Sequence, residues 1–114
     1  MEVKIRFQIR IHDLVIGPGK VALLEGVATT GSISGAAKAT GMTFRRAWQL
    51  LETLRAGLGV DVLETQVGGK AGGGARVTDF GLALIHHYRE AENAARNSAQ
   101  PLLEILSRQS GSSG

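Results

Sequence analysis

"SISGAAKATGMTFRRAW", Ser32 to Trp48, packs two helix starts and one helix stop into seventeen residues. Ser32 opens a helix of about two turns whose Ile33, Ala36 and Ala37 face one way, and Gly41 ends it. Thr43 then stands as an N-cap candidate for "FRRAWQLLETLRAGLG", where Ala47, Leu51, Leu54 and Leu58 share a face. Two short helices joined by so tight a glycine turn are the signature of a helix-turn-helix. That motif lays the N-terminal part of its second helix in the DNA major groove. Thr43, Arg45, Arg46 and Gln49 occupy that part. Arginine can donate two hydrogen bonds to guanine and glutamine can pair with adenine, while a threonine hydroxyl can hold a phosphate. The competing reading of the arginines is an ordinary solvated face. Trp48 flanks the Ala47 and Leu51 face and reads as packing, with contact to a base as the alternative.

Upstream, Val3, Ile5, Phe7, Ile9 and Ile11 alternate with polar residues, the period of a half-buried strand, so the chain is expected to lead with one strand ended by Gly17-Pro18-Gly19. A helix follows with Val21, Leu24, Val27 and Ala28 on one face, closed by Gly31. Downstream, "VDVLETQV" and "ARVT" read as strands around the glycine-rich "GGKAGGGA". The pair forms a hairpin whose tip can approach a sugar-phosphate backbone closely, with Lys70 and Arg76 as the cations.

Thr78 is the expected cap of a last helix from Asp79 to about Arg108. Leu84, Tyr88, Ala91, Ala95, Ser98, Leu102 and Ile105 recur along it at alternating spacings of four and three, a seam that wants a partner helix. Leu84, Tyr88, Ala91, Ala95 and Leu102 are therefore the dimerisation candidates. Pro101 is expected to kink this helix near Asn97 or to begin a new one. "SRQSGSSG" contains no core-forming residue, and residues 109–114 read as a disordered tail after one domain over residues 1–108.

Several functional classes fall away. Thirteen Lys and Arg against ten Asp and Glu leave a net charge of +3, mildly favourable to a polyanion. The chain has no cysteine, so thiolate metal sites and cysteine nucleophiles are absent. The glycines fail the phosphate-loop pattern because Gly74 and Ala75 follow Gly73 where Lys and Ser or Thr are required. They also fail the dinucleotide fingerprint, since Val77 and Ala22 stand where a third glycine is needed. His86, His87 and Glu90 offer half a metal site at most, and solvated helix positions explain them better. His12 has no assigned role. No nucleophile stands beside a base, so no enzyme, cofactor or metal is expected. Neither a signal peptide nor a membrane span is legible, which points to the cytoplasm.

The residues "TGSISGAAKATGMTFRRAW", "LLET" and "GGKAGGGARVTDFG" resemble the N-terminal winged-helix domain of the molybdate-responsive ModE transcriptional regulators. "LGVDVLET" and "RVTDFG" are also similar to the helix-turn-helix domain of LysR-type regulators. The resemblance implies a dimeric DNA-binding domain with Thr43, Arg45, Arg46 and Gln49 on the reading helix. It places Ser32 and Ser34 at the start of the preceding helix, Lys70 to Arg76 in the wing, and Phe44 and Trp48 on aromatic positions of the pattern, which favours a structural part for at least Trp48. Full-length regulators of that family continue into oxyanion-binding domains for which 114 residues leave no room, so molybdate binding is not carried over. The expectation is an α+β winged helix-turn-helix with a leading strand, a glycine-tipped hairpin wing and a long C-terminal dimerisation helix. It would bind double-stranded DNA as a homodimer and regulate transcription, with molybdate or metal uptake genes as targets by resemblance. The alternative is a protein-interaction module of the same fold that touches no DNA.

Overall fold

The computed structural model describes residues 2–66 and 74–111. The elements run β1 (Ile9–Ile11), β2 (Leu14–Ile16), α1 (Pro18–Thr30), α2 (Ile33–Thr40), α3 (Phe44–Leu58), β3 (Leu63–Gln66), β4 (Gly74–Val77) and α4 (Asp79–Gly111). This is an α+β winged helix-turn-helix with a second, N-terminal hairpin.

The leading element corrects the sequence reading. The chain reverses at His12-Asp13, and β1 pairs antiparallel with β2 in the register Ile9 with Ile16 and Ile11 with Leu14. His12 adopts φ 52, a left-handed conformation that a non-glycine residue takes rarely and that this two-residue turn requires. Only Leu14 and Ile16 of β2 enter the core, while Ile9 and Ile11 stay 43% and 38% exposed. The alternation in burial survives further upstream, where Val3, Ile5 and Phe7 are half-buried in extended chain.

Helix α1 begins as expected with Pro18 in its first turn, where the missing N–H costs nothing, and Gly31 ends it. Its buried side is wider than the expected stripe, because Val21, Leu23, Leu24 and Val27 are all inaccessible whereas Ala28 is exposed. Gly26 lets α2 approach: a Cβ there would sit 3.0 Å from Ala36. The core gathers these side chains with Ala36, Ala37, Ala47, Leu51, Leu54, Val62, Val77 and Tyr88. Each large aliphatic group wholly removed from water contributes about 1.5–3 kcal/mol before entropy is counted.

Strands β3 and β4 pair antiparallel from Leu63 with Val77 to Gln66 with Gly74. One bond ties this wing to the end of α1, and a second closes the base of the hairpin. The Ala75 N–H donates to the Gly31 carbonyl at 2.9 Å, and the Thr78 N–H donates to the Val62 carbonyl at 3.0 Å. The Thr78 hydroxyl also donates to the Asp61 carbonyl and accepts from the Gly81 N–H at 3.1 Å, so one residue closes the hairpin's base and caps α4.

Helix α4 is one helix through Pro101 to Gly111, so no new helix begins after Ser98, and it occupies the first residues of the stretch read as tail. Leu102 and Ile105, one and four residues after Pro101, are 56% and 54% exposed. Arg89 fastens the helix's first half to α1: it donates to both oxygens of Glu25, at 3.0 and 2.7 Å, and to Glu92 at 2.9 Å.

Candidate nucleic-acid interface

The turn between α2 and α3 is built from two caps and one glycine. The Ser32 hydroxyl accepts from the Gly35 N–H at 2.9 Å, which starts α2. Gly41 takes φ 71, and its N–H donates to the carbonyls of Ala37 and Lys38, which stops it. The Thr43 hydroxyl then accepts from the Arg46 N–H at 3.1 Å. Both capping hydroxyls act as acceptors in these bonds, which leaves their own protons for an outside acceptor.

From Thr43 the geometry of α3 follows by rotation. Ala47, Leu51 and Leu54 are buried, and the helical period turns Arg45 and Gln49 to the opposite side. Thr43, Arg45, Arg46 and Gln49 are all exposed, as is Ser34, whereas Ser32 is half-buried. The residues expected on the reading helix therefore share its accessible N-terminal half.

Trp48, expected to pack, is more exposed than a core residue, and Phe44 is exposed with it. Phe44 is 53% and Trp48 49% exposed, because one turn of helix places both on the flank of α3 beside the core stripe. Trp48 borders a cavity of about 510 Å³ between α3 and the wing, with Ile33, Leu51, Glu52 and Leu63 among its lining. No signal in the alternation of residues separates that flank from the core face; only the position of the wing does.

Arg76 is exposed on β4, and its guanidinium donates to Glu64 directly across the hairpin at 2.9 Å. The phosphate contact expected of Arg76 thus competes with an internal carboxylate. Lys70 and the glycine tip lie outside the described residues. The Glu64 and Arg76 pairing was legible in principle, since fixing the hairpin register sets them opposite each other.

Of the dimerisation candidates, Tyr88 is 3% exposed within its own chain. Its hydroxyl donates to the Phe7 carbonyl at 2.6 Å, and its ring meets that of Phe7 at 5.5 Å. Leu84 and Ala95 are half-buried, while Ala91 and Leu102 are exposed. His86, His87 and Glu90 are exposed neighbours, with His86 Nε2 2.9 Å and His87 Nδ1 3.7 Å from one Glu90 oxygen.

No helix among the described residues is long and apolar enough to cross a membrane. No family model matches the chain. Individual relatives do. The chain is 41% identical over 88 residues to the molybdenum transport protein ModE of Herbaspirillum seropedicae, covering 77% of this chain and 30% of that protein. It is 38% identical over 79 residues to the molybdenum-pterin-binding protein MopA of Rhodobacter capsulatus, covering 69% of this chain and 30% of that one. Against the DNA-binding transcriptional dual regulator ModE of Escherichia coli K12 it is 33% identical over 89 residues, 77% of this chain and 34% of the regulator. The chain thus spans about a third of the length of the curated relatives it matches, and their names describe regulators and binding proteins rather than enzymes. Among solved structures, the CbnR DNA-binding domain in its complex with DNA superposes with a TM-score of 0.59 at 23% identity, over 76% of this chain and 94% of that one. Sequence and fold agree: the chain is homologous to the N-terminal portion of the ModE regulators and shares its winged helix-turn-helix fold with the CbnR DNA-binding domain.

Proposed function

We propose that this chain is a sequence-reading DNA-binding unit of a ModE-type transcriptional regulator, acting in the cytoplasm as a homodimer. The observation that carries the reading is the start of α3, where Thr43 caps a helix whose exposed half presents Arg45, Arg46 and Gln49 away from the core. A helix so placed enters the major groove with its N-terminal residues at base edges. Arg45 and Gln49 would read bases, and Thr43, Ser32 and Ser34 would hold phosphates, with Lys70 and Arg76 of the wing on the backbone beside them. The names of the relatives support targets among genes of molybdenum uptake.

Dimerisation would use the far half of α4, where Leu102 and Ile105 stand exposed, together with Ala91 before its midpoint, which offers a small surface for close approach. Tyr88 contributes from inside its own protomer by holding the helix in place.

The test is a salt-titrated binding assay on a duplex selected from a random library by the wild-type protein. Arg45→Ala is expected to lose about 1–3 kcal/mol of discrimination at one base position. Lys70→Ala should weaken all duplexes alike. Binding by a protein-interaction module would show neither effect, and retention of full selectivity by Arg45→Ala and Gln49→Ala together would remove α3 as the reader.

A further inference from the structure

Two cations that the helix-turn-helix pattern does not include lie beside Arg46. Arg6, from the extended N-terminal segment, and Lys20, from the first turn of α1, line with Arg46 a single cavity of about 170 Å³, together with Val15, Gly17 and Gly19. Among the described residues no carboxylate forms an ion pair with any of the three. Lys20 is half-buried and its ammonium donates to the Val15 carbonyl at 2.8 Å; Arg6 reaches Gln8 at 3.4 Å. Other arginines do find acids: Arg55 with Glu52, Arg76 with Glu64, Arg89 with Glu25 and Glu92. Three like charges drawn from three separate elements and left without a counter-charge are a seat for an anion.

We propose that Arg6, Lys20 and Arg46 hold one phosphodiester of the bound DNA, on the flank of α3 opposite the wing. The inference rests on the reading of α3 as the groove-entering helix. Arg46 and Trp48 are two positions apart, about 200° around the helix, so they point to opposite flanks. Trp48 faces the wing cavity and Arg46 faces the Arg6 and Lys20 cavity. A helix in the major groove has a sugar-phosphate strand on each side of it, the walls about 12 Å apart. The wing meets one wall, and the three-cation seat meets the other. Burial first, and then the charge of Arg46, hold the Lys20 ammonium below its ordinary pKa, the sign of a cation lacking a compensating anion. A phosphate supplies that anion.

The experiment compares Lys20→Gln and Arg6→Gln with the wild type on the library-selected duplex across a salt series, thermal melts confirming folding. Arg6 is exposed, so its variant keeps the test open if Lys20→Gln folds poorly. Loss of one phosphate contact lowers the slope of log K against log salt by about 0.9 and weakens selected and unselected duplexes by the same factor. A neutral methylphosphonate placed singly along each strand should weaken the wild type at a position where neither variant loses anything further. Wild-type slopes in both folded variants overturn the seat while leaving α3 as reader. So does tight binding of inorganic phosphate, abolished by Lys20→Gln, alongside an unchanged DNA slope, because the seat would then serve a free anion. Absence of any wild-type DNA binding would overturn the reading of α3 itself.

Discussion

Thr43 links the local and the functional parts of this molecule. Its hydroxyl accepts from Arg46, so the residue that starts α3 also fixes where the first arginines point. Thr43→Ala is expected to lower stability by about 1 kcal/mol in urea denaturation, and Thr43→Ser to restore most of it, because the bond needs only the hydroxyl oxygen. Arg46 in turn has two neighbours of its own sign, whereas Arg76 has Glu64; equal charges at the two sites therefore carry different electrostatic costs. Gly81 illustrates a constraint of another kind. A Cβ there would fall 2.6 Å from the Val62 carbonyl oxygen and 2.6 Å from a Val77 methyl. Since one obstacle is backbone, Gly81→Ala should cost about 1–3 kcal/mol and show as a lowered melting temperature, with the wing separating from the start of α4.

Among the elements, the N-terminal segment departs most from the pattern of its residues. Apolar alternation runs from Val3 to Ile11, yet the segment is held by a hairpin at one end and by Tyr88 at its midpoint, Phe7. Burial, with Glu92 adding to it, raises the Tyr88 hydroxyl above its ordinary 10.0, and Arg89 and Arg6 oppose the shift. A raised folded-state pKa means the proton is held more tightly after folding. The associated stability is therefore complete below about pH 10 and is lost as pH rises through the raised value. Tyr88→Phe should cost about 1 kcal/mol at neutral pH, leave the Phe7 carbonyl without its donor, and remove this alkaline component from the pH profile of unfolding. The helix α4 was legible in its start and in its length, since Thr78 and the spacing of apolar residues mark both. Its continuity through Pro101 was not, because the clash of the proline ring with the carbonyl four residues back can be taken up by a local adjustment without ending the helix.

Across the whole molecule, the 33 residues of α4 give a rod of about 50 Å, and the chain extends 60 Å along its longest axis against 27 and 23 Å. Much of that rod has no core beneath it. With α4 as the proposed dimer contact, Leu102→Glu together with Ile105→Glu should convert a dimer to monomers in sedimentation equilibrium while leaving each winged helix folded. Two reading helices would then lose their fixed spacing of about one DNA turn, and affinity for a palindromic site should fall more than affinity for a half-site.

The order of caps, stops and apolar faces from Ser32 to Leu58 is determined by the sequence alone, because every bond that sets it joins residues within a few positions of each other. Hence the helix-turn-helix, its boundaries and the exposed arginines could be read directly. The contacts that join distant segments belong to the tertiary structure: Tyr88 with Phe7, Arg89 with Glu25, Ala75 with Gly31, and Arg6 beside Lys20 and Arg46. They depend on how close the packed core brings elements separated along the chain, a distance that no local period encodes. For the same reason Trp48 reads as buried in the sequence and stands half-exposed in the fold: its surroundings are decided by where the wing comes to rest.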